Sequence, residues 1–433
     1  MIGTGIGLGL AGYRINPAGF GALPALDLWF SNFKTLTATT GPTPSFSRAS
    51  SGTYFDAAGL LQTASTNGAR FNHTYNGANW VSRGLLIEEQ RTNLHKYSEA
   101  AASIYNPGNG SFTSNVSTAP DGTLTAEKYT ENTASDQHAF NMNPGSLVGT
   151  HTFSLFLKEA GRYKVAFLCQ TPVQFICFDL RANTTFDASG ATGTIKDVGN
   201  GWRRITVTYN SLTNYFDNVV ILLPDGAGGI GARFYTGDNS SGVLVWGTQI
   251  EAAPFASSYI PNLSNGSTTR SADVMQITGT NFSSFWNLSE GSFAVEYDRL
   301  ANNSSGLSGG YPTTLAAASS NNDWIILAGS IAPSPVGEVL AVYSSTSQAY
   351  FSAGSSPLAG VTAKMAACYK ANDFAASLNG STVSTDTSGT VPACDRLGIG
   401  YWPFGNAPIN GHIARLRYWN TRLDNATLRA LST

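Results

Sequence analysis

The chain has 433 residues, 42% of them hydrophobic, enough for sizeable cores and for two or three domains of ordinary size. Only 12% are charged, against roughly 25% in an average soluble protein; Gly, Ser, Thr and Asn fill the gap. A net charge of −2 with no run of Lys and Arg excludes a phosphate-binding surface, and nucleic acid as a partner with it.

Residues 1–24, MIGTGIGLGLAGYRINPAGFGALP, interrupt their apolar positions with Gly and lack the basic start of a secretion leader. No stretch here reaches the ~18 apolar residues of a spanning helix, so no membrane insertion is expected. The segment is expected to be an attachment arm, because a backbone with few side chains can lie flat in a partner's groove. Missing leader features point to assembly in a cytoplasm. Four cysteines, Cys169, Cys177, Cys368 and Cys394, fit no zinc spacing. Isolated core thiols are expected, with pairs 169–177 and 368–394 as the alternative.

Strand signals dominate from there on. ALPALDLWF opens the first folded segment, and TASTNGARF is predicted as a short helical turn. HTFSLFLKEAG alternates Phe153, Leu155 and Leu157, and RYKVAFLCQTPVQFICFDL reads as two strands around a TPVQ turn. GWRRITVTYN, DNVVILLPDG and SGVLVWGTQIEAAPF continue the pattern, with Trp202 and Trp246 in their cores. GSFAVEYDRL, DWIILAGS, EVLAVYSS, DFAASLNGSTV and HIARLRYWN follow in the last third. Turns every 8–12 residues or so indicate sandwiches rather than βαβ units. One helix is convincing, LDNATLRALST, with Asp424 as N-cap and Leu428 and Leu431 on one face.

The chain is therefore all-β: an arm over 1–24, a small β-rich segment over 25–94, a jelly-roll sandwich over 95–268 and a second sandwich over 269–433. A Ser/Thr/Asn/Gly stretch near 262–273 marks the last boundary.

Two glutamates stand side by side in GLLIEEQRTNL. Successive strand side chains point to opposite faces, so Glu88 and Glu89 cannot converge on one substrate. One is expected to face solvent and the other to tie the exit loop through Arg91. LLIEEQRTNL and VWGTQIEAAPFASSYIPN share a form, an apolar strand, Ile-Glu, then an irregular exit, which sets Glu88 and Glu251 in matching places.

These pieces occur in an ordered set: RGLLIEEQRTNLHKYSE, APDGTLTAEKYTE, GTHTFSLFLKEAGR, GNGWRRITVTY, LVWGTQIEAAPFASSYIPN and TTRSADV. Together, over about 83–275, they resemble a module of bacteriophage virion proteins found in tail fibres, head fibres and the adhesins of phage-like gene transfer agents. The resemblance implies a jelly roll like that of carbohydrate-binding modules. Residues 276–433 resemble a concanavalin A-like or laminin-G-like domain, best in the ending INGHIARLRYWNTRLDNATLRAL. Thr427 stands where such endings usually carry a Glu that completes a capping box.

Candidate sites follow from residue chemistry. Glu296 and Asp298 lie two apart on a strand, a spacing that can approach the roughly 5–5.5 Å of a retaining glycosidase pair. Arg299 and Leu300 follow, with no third acid, and a solvated strand face is the plainer reading. For binding, GIGYWPFGNAPINGH sets Tyr401, Trp402 and Phe404 around Pro403. Sugar C–H faces stack on such rings, and Asn406 and Asn410 could hold hydroxyls. Trp324 is a further, weaker candidate for sugar contact, with core as the favoured reading. Jelly rolls of this resemblance often hold a structural calcium, and Asp225 and Asp238 are the candidates, both also ordinary turn residues.

The sequence thus reads as a non-enzymatic fibre or spike subunit on the surface of a phage-type virion. Its arm docks on other virion proteins, and its distal sandwich binds host surface polysaccharide. A homotrimer is expected, because side-by-side β packing suits this composition and fibres of this resemblance are often trimeric. A virion-associated glycan-cleaving enzyme and a purely structural connector or decoration protein are the alternatives.

Overall fold

The computed structural model describes residues 23–100, 105–142, 145–213, 218–301, 313–330, 337–405 and 407–433. The expected arm, apart from Leu23 and Pro24, lies outside them. The protein is all-β, with antiparallel ladders throughout its main sheets.

The jelly roll pairs two six-stranded sheets. One runs, in spatial order, Thr192–Asp197, Trp202–Leu212, Gly149–Ala160, Gly242–Glu251, Ala126–Glu131 and Gly110–Ser117. The other contains Lys164–Gln170, Val173–Asp179 and Asn218–Leu223 at its centre. Alternation sends Phe153, Leu155, Leu157, Val165, Phe167, Ile205 and Val207 inward to one core. The opposite face of the first sheet is also covered: Trp202 and Trp246 pack there with Phe156 and Tyr259. As the sequence suggests, TPVQ turns between two paired strands.

The second sandwich is larger than its own sequence range. Its eight-stranded sheet takes Glu290–Arg299, Ala363–Lys370 and Gly411–Trp419 from the C-terminal third, then adds Trp80–Ile87, Phe71–Tyr75 and Leu26–Leu28. Leu26 pairs with Tyr418, and Ile413 with Leu85. The facing seven-stranded sheet takes Ser45–Ser47 alongside Val274–Thr278. Leu26, Leu28, Phe30, Leu85 and Ile87 are buried in the same core as Phe293, Val295, Leu327 and Leu340. Four strands of the stretch 25–94 therefore belong to the second sandwich, while Gly52–Phe55 and Leu61–Ala64 form a two-stranded sheet of their own. A few short strands bury little alone, and an unpaired edge is satisfied by joining an existing sheet.

Other expectations are corrected locally. TASTNGARF forms a strand end and a tight turn, with the Gly68 N–H donating to Ser65 O at 2.9 Å, and no helix. The C-terminal helix, Asn425–Leu431, is capped by Asp424, whose carboxylate accepts from Thr427 N at 2.7 Å; Leu428 and Leu431 are buried. All four cysteines are buried, and none is in a disulfide. Cys169 faces the jelly-roll core while Cys177 packs on the outer side of the same sheet, and Cys368 and Cys394 are likewise split between two clusters. Side chains on opposite faces cannot meet in a disulfide. Burial pushes the thiols of Cys177, Cys368 and Cys394 up to about 12.

The two sandwiches meet at a buried charge cluster. Both glutamates of the IEEQ stretch lie just past the end of their strand, and both are inside, not one in and one out. Glu88 receives Arg70 at 2.7 Å and Arg270 at 3.6 Å. Asp273 receives Arg48 at 3.1 Å and Arg70 at 2.5 Å, and also the Glu88 backbone N–H at 2.9 Å. From the jelly roll, Ser258 donates its N–H and its hydroxyl to the two Glu88 oxygens, each at 2.7 Å. Its neighbour Ser257 does the same for Glu251 at 2.9 and 2.6 Å. Glu89 does tie the exit loop through Arg91, whose guanidinium lies over Phe255 at 4.4 Å. Burial alone would push the Glu88 carboxyl up; Arg270, Arg70 and Ser258 hold it well below the usual carboxylate range.

Breaking a buried pair leaves charge without a partner, which costs far more than the pair contributes. Asp273→Ala strands Arg48 and leaves Arg70 and Arg270 with Glu88 alone. The expected loss is about 3–5 kcal/mol, read from a urea midpoint; a loss under about 1 kcal/mol, the level of an exposed pair, would show the cluster to be peripheral.

Candidate functional site

An aromatic groove lies on the outer face of the seven-stranded sheet. In Asp323–Ser330, alternation sends Ile325 and Leu327 to the core and Trp324, Ile326 and Ala328 outward. The adjoining strand, Gly337–Ser344, places Tyr343 opposite Trp324, and their rings stack at 5.3 Å with 11° between planes. Ala316, Ile326, Ala328 and Ala341 form a floor of mostly small residues. The groove holds about 440 Å³, and the exposed Tyr350 and Ser347 line it.

The loop after Arg396–Ile399 closes one side. Trp402 meets Trp324 edge-on at 5.8 Å, and Phe404 meets Trp402 at 5.9 Å. Arg396 covers the Phe404 ring at 4.8 Å. Gly398 makes this approach possible: a Cβ there would lie 2.7 Å from Pro403 Cγ and 2.8 Å from the Tyr401 carbonyl. The loop therefore lies flat on the sheet, and Trp402 becomes a wall of the groove rather than a loop tip.

The five residues expected to bind glycan separate. Trp402 lines the groove, and Phe404 supports it from behind. Tyr401 points the other way; it is buried, its hydroxyl donates to Gln276 Oε1 at 2.9 Å, and burial pushes it up to about 12. Asn410 is also buried, with Oδ1 accepting the Glu89 N–H at 2.9 Å, so it belongs to the junction and not to a binding surface. Asn406 lies outside the described residues. Trp324, expected in the core, is half-buried and faces the groove, and Tyr343 and Tyr350 join it unforeseen. A strand apolar on both faces hides this arrangement in the sequence.

The acidic candidates are each engaged elsewhere. A register shift between Glu296 and Tyr297 breaks the regular alternation of their strand. Asp298 is buried, bonded to His412 Nδ1 at 2.8 Å and to Arg83 at 2.7 and 2.9 Å. Burial would push its carboxyl up, but His412 and Arg83 hold it below its ordinary value. Glu296, half-buried, lies 4.0 Å from Arg417. Among the described residues, none lining the groove is Asp or Glu. Asp238 accepts four bonds from Ser240 and Ser241 at 2.6–2.9 Å, which depress its carboxyl. Arg162, paired with Glu131 at 2.6 Å, stands 3.8 Å from Asp238 and 3.7 Å from Asp225. No group of three or more His, Cys, Asp or Glu suited to a metal occurs among the described residues.

No family model and no curated protein matches the chain. Among solved structures, it is similar to domain 4 of AbnA, a GH43 extracellular arabinanase from Geobacillus stearothermophilus, in complex with arabinotriose. That match has 15% identity and a TM-score of 0.29, covering 42% of this chain and 81% of that one. Mouse laminin alpha1 chain domains LG4-5 match at 10% identity and 0.21, over 67% and 88%. Trypanosoma rangeli sialidase, in complex with the inhibitor DANA, matches at 10% and 0.23, over 86% and 67%. At these TM-scores the likeness carries no argument about function.

Gly398→Ala tests how the groove is built. The new methyl must lift Pro403 and, with it, Trp402 from Trp324. Overpacking of this kind costs about 1–3 kcal/mol, and indole fluorescence should shift to the red as Trp402 gains solvent. Unchanged emission and stability would mean that the loop does not depend on this contact.

Proposed function

We propose that this protein is a non-enzymatic glycan-binding subunit of a fibre or spike, of the virion type that its sequence resembles. The observation that carries the reading is the aromatic groove. Trp324, Tyr343, Tyr350 and Trp402 offer ring faces and edges around a floor of mostly small side chains, where a sugar can lie close to the sheet. Aromatic rings take the C–H faces of sugars, and a few polar groups fix orientation. Ser347 and the tyrosine hydroxyls supply such groups. The lack of a groove carboxylate among the described residues favours binding over hydrolysis, since glycoside cleavage ordinarily needs two flanking acids.

Stacking contributes about 1 kcal/mol per ring beyond buried area, so one groove binds weakly. Joining copies raises avidity by roughly 10²–10⁴, which is the use a trimer would have. In this reading the 1–24 arm attaches the subunit to the particle, and the groove meets host surface polysaccharide.

The test is calorimetric titration of host polysaccharide fragments into the wild type and into Trp402→Ala and Trp324→Ala. Each substitution should weaken binding at least tenfold while far-UV spectra stay unchanged, because both rings lie outside the main core. Trp402→Ala should also lower the melting point only slightly. Wild-type affinity in both variants would remove the groove from consideration.

A further inference from the structure

A second hollow lies where the sandwiches face each other. It holds about 610 Å³ and adjoins a smaller one of about 370 Å³ beside the buried charge cluster. Aromatic rings form one wall: Trp80 packs against Phe55 at 5.0 Å and against Tyr75 at 5.6 Å. Across from them, the jelly-roll edge strand Thr192–Asp197 brings Lys196 into both hollows.

Most polar groups in the cleft are already matched. The Phe55 N–H donates to Asn72 Oδ1 at 2.8 Å, which turns the Asn72 amide nitrogen toward His412 Nε2, also at 2.8 Å. His412 Nε2 therefore accepts, and its Nδ1–H donates to Asp298, whose other oxygen takes Arg83. Asp197 is engaged by Arg203 at 2.9 Å. Arg204 donates to Ser257 O at 2.7 Å and Ser154 Oγ at 3.2 Å, while its Nε has no hydrogen-bond partner.

Lys196 differs from all of these. Among the described residues no carboxylate comes within ion-pair distance of it, and Asp298 attracts it only through space. The Lys196 side chain is exposed at the cleft, where the surrounding protein walls and the like charge of Arg204 lower its ammonium below the ordinary lysine value. Two cations thus share a walled space, one of them uncommitted, next to a ring surface. An ammonium with no carboxylate beside it gives its charge-assisted hydrogen bonds to water, and a ligand anion held in the cleft takes them over.

We propose that this cleft is a second binding site, for a carboxylate-bearing sugar, with Lys196 Nζ pairing the carboxylate and the Trp80 side stacking on the ring. The site is separate from the aromatic groove, so it stands or falls independently of that reading. Arg204 acts by its field.

The experiment titrates an oligogalacturonate and the matching neutral oligogalactoside into the full-length protein by calorimetry. The acidic sugar should bind at least tenfold more tightly, and its affinity should fall several-fold between 50 and 500 mM salt, values chosen to span roughly 14 to 4 Å of Debye length. Lys196→Gln should abolish the preference for the acidic sugar without lowering the melting point, since no contact is lost. Lys196→Arg should retain most of it, and Trp402→Ala should leave it intact. Equal affinity for the two sugars, no binding of the uronate at millimolar concentration, or wild-type uronate affinity in Lys196→Gln would each overturn the proposal. Loss of the preference in Trp402→Ala would also overturn it, by moving the acidic sugar to the groove.

Discussion

Everything in this fold hangs on how Glu88 and Asp273 are shared. Arg48 and Arg70 come from the N-terminal stretch, Arg270 and Asp273 from the linker between sandwiches, and Ser258 from the exit of the last jelly-roll strand. These side chains are sealed from solvent, apart from the partly exposed Ser258. A cluster of this kind adds little net stability over a hydrophobic equivalent, because desolvation offsets attraction. What it does add is geometry. Arginine forks and carboxylates accept only a few arrangements, so the segments that carry them are held in one register.

The cluster reaches the groove through a short chain of contacts. The Glu89 N–H donates to Asn410, and the Asn410 carbonyl accepts from Leu300. Gly400 lies against Ile87, so closely that a Cβ there would be 3.0 Å from its side chain. Both ends of the loop carrying Trp402 are thus fixed on the stretch that also provides Glu88 and Glu89. The groove is built on sheet and junction together, which suits a site that must be rigid to bind weakly held sugars without further ordering cost.

Much of this was legible in the sequence, and the limits have physical causes. Period-2 alternation marks HTFSLFLKEAG and GWRRITVTYN as strands because one face of each sits in an apolar core. Asp424 marks its helix through a local bond, which needs no tertiary knowledge. The echo between Glu88 and Glu251 also has its reason: the tandem serines Ser257 and Ser258 serve one glutamate from each sandwich. Sheet membership of Leu26–Leu28 was not legible, because pairing with Tyr418 spans almost the whole chain and leaves no local trace. The sequence favours core over sugar contact for Trp324 because its strand is apolar on both faces, one for the core and one for the groove. Asn410 was misread because a polar residue in a loop looks exposed until its partner is known.

The central claim is that the two sandwiches are locked into one cooperative body by the shared cluster. Scanning calorimetry of the full chain tests it most directly. A locked body should melt in a single transition whose calorimetric and van't Hoff enthalpies agree. Two separate transitions, each with its own enthalpy, would show that the sandwiches fold independently and that the cluster merely lies between them.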